Sequence, residues 1–195
     1  HNTLMPIGTQ LLEIVAPITE GTTAERYLER RKGAGGYMVI TQTDDHPPRR
    51  AHVDELGIRI VGQFDEHGFT NMQLHPADTG GSFLEIDQQE GGEDPMGKWS
   101  PAGPNWQKAI RKDTTLALTE VQMQSPEPET LAAHWGEIVG VPADGTTVKL
   151  PNSVFRFVKG DAEIMSGLTF KVADKAKVLA AAKARGCKVS GDEFF

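Results

Sequence analysis

The spacing of apolar and polar positions changes period several times along the chain, and each change marks an element. Residues 1–7 and 10–15 are rich in β-forming side chains and hinge at Gly8, which predicts two short strands, the second stopped by Pro17. Thr22-Thr23-Ala24-Glu25 is a capping box, so a helix opens there, runs to about Arg31 and closes at Gly33. Tyr37 to Thr43 reads as a strand. Asp44 or Asp45 then caps a second helix, with Pro47 and Pro48 in its first turn, Val53 and Leu56 on its inner face and Gly57 at its end. Three strands follow over 58–64, 69–75 and 82–88, joined by Asp65-Glu66-His67-Gly68 and by residues 76–81. Residues 90–104 are dense in proline and glycine and read as a connector. Beyond it the order resumes: a strand at 116–124, a helix from Ser125-Pro126 to Gly140 with Leu131, Trp135 and Ile138 inside, strands at 148–150, 154–158 and 168–172, and a helix from Asp174 to Gly186 with Val178, Leu179 and Ala182 inside.

One strand pattern occurs twice, as Leu11-Leu12-Glu13-Ile14-Val15 and as Phe83-Leu84-Glu85-Ile86-Asp87. A glutamate in such a strand costs free energy where it faces hydrocarbon, so it should meet water, a partner or a metal. The copies lie about 70 residues apart, a spacing suited to a duplicated supersecondary unit with a site between its halves. Strand alternation puts Glu13 with Leu11 and Val15, and Glu85 with Phe83 and Asp87, opposite Leu84 and Ile86. Asn71, Gln73 and His75 likewise share a face opposed to Met72 and Leu74. If helices cover the aliphatic faces, both glutamates, Gln73 and His75 look into a common hollow. The strand from Tyr37 is expected to add Tyr37, Val39 and Thr41 to that hollow.

Composition narrows the function. With 195 residues, 38% of them hydrophobic, the chain can bury a core as one large or two small domains. A net charge of −7 argues against a nucleic-acid or anionic-membrane surface. The basic cluster Arg26, Arg30, Arg31 and Lys32 is interrupted by Glu25 and Glu29 and is expected to be a solvated helix face. Cys187 is the one cysteine, which leaves no disulfide framework and no thiolate zinc site and fits a reducing, cytoplasmic setting. No apolar run approaches a membrane span, and no signal-peptide pattern opens the chain. The ends, without an initiator methionine and with Phe194-Phe195 where an apolar strand should go on, suggest a chain incomplete at both termini. Gly33-Ala34-Gly35-Gly36 precedes a strand, the reverse of a phosphate-binding loop. His46, His52, His67 and His134 are expected on loops or helix surfaces.

The segments Tyr37 to Asp45, Leu56-Gly57-Ile58 and Phe83 to Asp87, and again Leu168 to Asp174 with Ala184-Arg185-Gly186, resemble the vicinal oxygen chelate superfamily of glyoxalase, bleomycin-resistance and extradiol dioxygenase relatives. Similarity to the glyoxalase-like members is strongest over residues 1–89. The resemblance implies an α+β fold of tandem βαβββ modules that pair into open curved sheets, or cups, with helices outside. It divides the chain into a first module pair (1–89), a connector (90–113) and a second module pair (114–195). It also implies a divalent metal, since Glu13 and Glu85 fall at the family's last-strand ligand positions. Tyr37 stands at a first-strand position where the family carries His, Gln or Glu. Glu120, Arg156 and Gly167 occupy the matching places of the second half, where no metal is expected.

The expected function is then metal-assisted isomerase, lyase or dioxygenase chemistry on a small oxygenated metabolite. Glu13 and Glu85 would be ligands, or ligand and base, with Tyr37, Gln73 and His75 shaping the substrate pocket. The alternative is a non-catalytic small-molecule binder of the bleomycin-resistance type, favoured by the aromatic Tyr37. The expected partners are that ligand and a second copy in a homodimer.

Overall fold

The computed structural model describes all 195 residues. An N-terminal hairpin, β1 (Asn2–Ile7) and β2 (Gln10–Val15), leads to α1 (Thr23–Arg31). The chain then builds β3 (Met38–Gln42), α2 (His46–Glu55), β4 (Ile60–Glu66), β5 (Phe69–Leu74), the short α3 (Pro76–Thr79) and β6 (Phe83–Gln89). These strands form an open sheet in the order β3-β6-β5-β4, with β3 parallel to β6 and the other pairs antiparallel. That is one complete βαβββ module. A connector containing two 3-10 turns leads to β7 (Thr115–Ser125), α4 (Pro128–Val139), β8 (Thr147–Lys149), β9 (Val154–Lys159) and β10 (Ile164–Val172). They form a second open sheet, β10-β7-β9-β8, in which β7 and β9 are parallel. Helix α5 (Lys175–Ala184) and a two-stranded ribbon, β11 (Val189–Ser190) with β12 (Glu193–Phe194), complete the chain. The fold is mixed α+β, and neither four-stranded sheet closes into a barrel.

Local chemistry accounts for most boundaries. The Thr22 hydroxyl accepts from Glu25 N at 3.1 Å at the start of α1, and the Asp174 carboxylate accepts from Lys177 N at 3.0 Å at the start of α5. Helix α2 departs from the expected cap. Asp45 holds the N-cap position without a side-chain hydrogen bond, and Gln88 replaces it, accepting from His46 N at 3.0 Å and donating to Asp44 O at 2.8 Å. Strand β10 begins at Ile164, ahead of the expected Leu168, because Ile164 and Met165 keep pairing with β7 across a β-bulge at Ser166.

One core serves both sides of the connector. Val39, Met72, Leu74, Leu84 and Ile86 of the first sheet join Val53 of α2, while Val121, Met123, Phe155 and Phe157 of the second sheet join Leu131, Ala132, Trp135 and Ile138 of α4 in a single buried cluster. Each helix covers the aliphatic face of its own sheet, and α2 meets α4 in the middle. Trp135 is the centrepiece: fully buried, edge-on to Phe155 and Phe157, its indole N–H donates to Thr79 O of the first module at 2.7 Å. His134 adds a 2.7 Å contact to Asp78 O, and Arg49 of α2 donates to Ile138 O at 3.3 Å. With the aliphatic faces turned inward, the polar faces of both sheets are left for chemistry.

Candidate functional site

Cross-strand register fixes which side chains share the polar face of the first sheet. Ile40, Glu85 and Gln73 form one row; Gln42, Asp87 and Asn71 form the next. Met38 and Phe83 lie one row nearer the start of β3 and β6. The strand β3 therefore presents Met38, Ile40 and Gln42 to this face. Val39 and Thr41 point the other way, contrary to expectation, and Val39 is 6% exposed within the core. The two-residue alternation expected from the sequence holds on β5 and β6. On β3 the alternation holds with the opposite phase, because the expected phase starts from Tyr37, which precedes the strand and lies outside its ladder.

Glu85 and Asp87 are both buried, at 6% and 0% exposure. Glu85 Oε1 accepts from Asn71 Nδ2 at 3.1 Å. Neither oxygen of Asp87 has a donor, and Asn71 Oδ1 is also without a partner. Two carboxylates on alternate residues of one strand, with no cation beside them, cannot both be charged at low cost. Burial first, and then the charge and hydrogen bond of Glu85, push the Asp87 carboxyl up to about 9. The pair therefore holds a proton at neutral pH, and that proton supplies the donor the bare oxygens lack. In the sequence Asp87 stands out only as a neighbour on the face of Glu85. The signal that could mark it is a second acid two residues on, in a strand whose other face carries Leu84 and Ile86.

The connector seals this end of the face. Gln42 Nε2 donates to Gly92 O at 2.6 Å, Ser100 N donates to Gln89 Oε1 at 3.0 Å, and Trp99 stands edge-on to Phe69 with ring centroids 5.4 Å apart. At the other end the face opens. A cleft of about 240 Å³ is lined by Thr23, Tyr37, Val61, Gln73, His75 and Phe83. The structure thus brings Tyr37, Gln73 and His75 together, and Gln73 is the cross-strand neighbour of Glu85. A second cleft of about 400 Å³ adjoins it, sharing Tyr37, His75 and Phe83 and adding Tyr27, Arg30 and Arg31 of α1. Arg26, Arg30 and Lys32 are exposed, as expected, while Arg31 is half-buried, and Arg30 and Arg31 also line this cleft. Arg31 lies 6.0 Å from the Tyr27 ring, whose hydroxyl donates to Gly36 O and ties α1 to the segment just before β3.

His75 is held rigidly. Its Nδ1 accepts from Ala77 N at 3.0 Å at the cap of α3, which places the proton of the neutral ring on Nε2. Beside it Arg59 grips Asp78 through two side-chain contacts of 2.6 and 2.7 Å, and this pairing holds the Asp78 carboxyl far below its ordinary range. Burial raises the Tyr37 phenol, so it stays protonated and can donate to a ligand.

Glu13 is placed elsewhere. It lies on the β1–β2 hairpin, which packs along β7 and the 3-10 turn at Trp106, and its side chain accepts from Asn2 Nδ2 at 2.6 Å. No hydrogen bond or ion pair joins it to Glu85, and no group of three or more His, Cys, Asp or Glu side chains is clustered as a metal set. In the second sheet Arg156 closes on Glu120 in a two-pronged ion pair, at 3.0 and 2.5 Å, with Thr169 alongside, and lowers the Glu120 carboxyl. Of the histidines expected at the surface, His46 is 6% exposed with Nε2 unpartnered, because α2 begins directly over the core face of β6. Burial pushes its pKa down.

No family model matches the chain, and no curated protein matches it significantly. Among solved structures, it is similar to a hypothetical protein from Staphylococcus aureus at 16% identity over 89% of this chain and 77% of that one, with a TM-score of 0.60. A Bacillus subtilis protein of unknown function, YycE, provisionally described as a glyoxalase/fosfomycin resistance protein, overlaps at 20% identity over 66% of this chain and 93% of that one, with a TM-score of 0.32. A provisionally assigned dioxygenase from Bacillus subtilis subsp. subtilis str. 168 overlaps at 12% identity over 82% and 58%, with a TM-score of 0.39. At these identities the likeness extends to the fold alone, and the latter two superpositions are too loose to bear on the site. No helix is long and apolar enough to cross a membrane.

Proposed function

We propose that the protein is a glyoxalase-like, vicinal oxygen chelate type enzyme that moves a proton on a small oxygenated metabolite bound in the cleft of Tyr37, Gln73 and His75. The observation that carries this reading is the buried Glu85–Asp87 pair, with Glu85 in the same cross-strand row as the cleft-lining Gln73 and Asp87, its oxygens without a donor, one row behind. A carboxyl near 9 beside a second carboxylate is poised to deliver and recover a proton near neutral pH. In this reading Glu85, the nearer to the cleft, exchanges the proton with a carbon or oxygen next to the ligand carbonyl. Asp87 stores it, and the His75 Nε2–H and Tyr37 hydroxyl steady the oxygen on which charge develops.

A divalent metal enters the proposal only as a binding question. Its oxygen donors would be Glu85, Asp87 and the unpartnered Asn71 Oδ1, a hard set suited to Mg²⁺ or Ca²⁺, and a bound ion would polarise the ligand oxygen. The proton itself is carried by the side chains of the protein.

The test is solvent deuterium incorporation at the α-carbon of small α-hydroxy carbonyl compounds, followed by NMR. Wild-type protein should exchange the proton, and Glu85→Gln should slow exchange by about 10²-fold or more. Equal exchange rates in the two proteins would rule the mechanism out. The second reading, stoichiometric binding without turnover, draws on the aromatic chain Tyr27, Tyr37 and Phe83, whose successive ring centroids are 5.2 Å apart. Ligand retention with no exchange in any variant would select it.

A further inference from the structure

We propose that the second cleft selects a planar aromatic ligand bearing an anionic oxygen group, a carboxylate or a phosphate, gripped by Arg30 and Arg31. This deepens the function proposed above and rests on it, because the second cleft adjoins the first at Tyr37, His75 and Phe83, so a ligand held here extends toward Gln73.

Uncompensated positive charge marks the second cleft. Arg50, Arg59 and Arg156 are each paired with a carboxylate, to Asp54, Asp78 and Glu120. Arg26 is satisfied by Gly21 O and the Thr23 hydroxyl. Arg30 and Arg31 have no hydrogen-bond acceptor and no ion-pair partner in the protein, yet both line the cleft of about 400 Å³. The one acid lining it is Glu163, so two guanidinium groups face a single carboxylate. In a chain of net charge −7 this is a local reversal of sign, and a guanidinium fork matches the planar, two-oxygen geometry of a carboxylate or phosphate.

The walls supply the second half of the recognition. Tyr27, Tyr37 and Phe83 form an aromatic cluster, edge-on at 77° and tilted at 45° to one another, whose faces and edges suit contact with an aromatic ring. The volume is that of an ordinary small-molecule site. His75, its proton fixed on Nε2, lines both clefts and offers a donor at the junction. The floor is equally definite. At Gly81, with φ of +85°, an added Cβ would lie 2.6 Å from the Glu163 carbonyl carbon, so only glycine lets β10 approach closely enough to form this wall.

The experiment is isothermal titration of benzoate, phenyl phosphate and neutral benzyl alcohol into wild-type protein and into the Arg30→Gln/Arg31→Gln double variant. Helix α1 buries no residue fully, so the double variant should keep its fold, with melting temperature as the control. The expected result is tighter binding of an anion than of benzyl alcohol to wild type. The double variant should bind that anion at least about tenfold more weakly, since one charge-assisted hydrogen bond alone accounts for that much, with benzyl alcohol unaffected. The stronger of benzoate and phenyl phosphate identifies the anionic group. Equal affinity of the anion for both proteins, or no preference of wild type for an anion, overturns the inference. Deuterium exchange that depends on Glu85 would still stand in that case, which separates this failure from failure of the proposed function.

Discussion

Replacing Asp87 with asparagine should stabilise the protein while disabling it. An unfolded-chain aspartate titrates near 3.8, whereas burial and Glu85 raise Asp87 to about 9 in the native state. Between those values the native protein holds a proton that the unfolded chain has released. Its stability therefore falls as pH rises through the window, by up to about 1.4 kcal/mol per pH unit. From pH 4 to pH 7 the accumulated loss reaches about 4 kcal/mol, an upper figure because relaxation around the pair reduces it. The asparagine side chain has the same shape and no proton to lose. Its amide can donate to Glu85, and Asn71 Oδ1 offers an acceptor that is now unused. Urea denaturation at pH 4.5, 6, 7, 8 and 9 should give nearly coincident curves at the acid end. The variant should be more stable by about 2–4 kcal/mol at pH 7–8, with proton exchange on ligand lost. Parallel pH–stability profiles for the two proteins would refute the buried, shared proton.

Other parts of the fold make separate predictions. Trp135→Ala should cost about 3–5 kcal/mol in denaturant titrations, because it empties the centre of a core common to both sheets and orphans Thr79 O. Gly81→Ala should lower the melting temperature and weaken ligand binding together, through a backbone clash at β10 and a strained positive φ. His46 is kept neutral by burial, so below about pH 6.5 the unfolded state takes up a proton that the native state resists, a cost toward acid that opposes the Asp87 contribution. His46→Leu should remove that opposing cost, so its melting temperature should rise more steeply toward acid across pH 5–7 than that of wild type. Arg156→Ala should cost no more than about 1 kcal/mol, since the pair with Glu120 is partly exposed, and a larger loss would mean that this pair orders β7 and β10.

Sequence alone determined the longer helices and the main strands in their order, though not the short α3 or the β11–β12 ribbon, because capping residues, glycine stops and the period of the apolar positions are local signals. Thr22 with Glu25, Asp174, and the alternation of Phe83 through Asp87 each act over a few residues and keep their meaning in the folded chain. The resemblance carried by Tyr37 to Asp87 extended this to the α+β architecture. What the tertiary structure decided is which of these faces meet. The glutamates of the two matching strands lie in different sheets, Glu13 held by Asn2 and Glu85 beside Asp87, because the repeated pattern specifies how a strand is buried and not which strand it faces. The proton on Asp87 likewise depends on burial by Gln42, Trp99 and the connector, more than any local pattern encodes. Arg30 and Arg31 read as solvent-facing in a helix considered alone, and become lining of a cleft only once Tyr27 anchors α1 against Gly36 and the strand that follows.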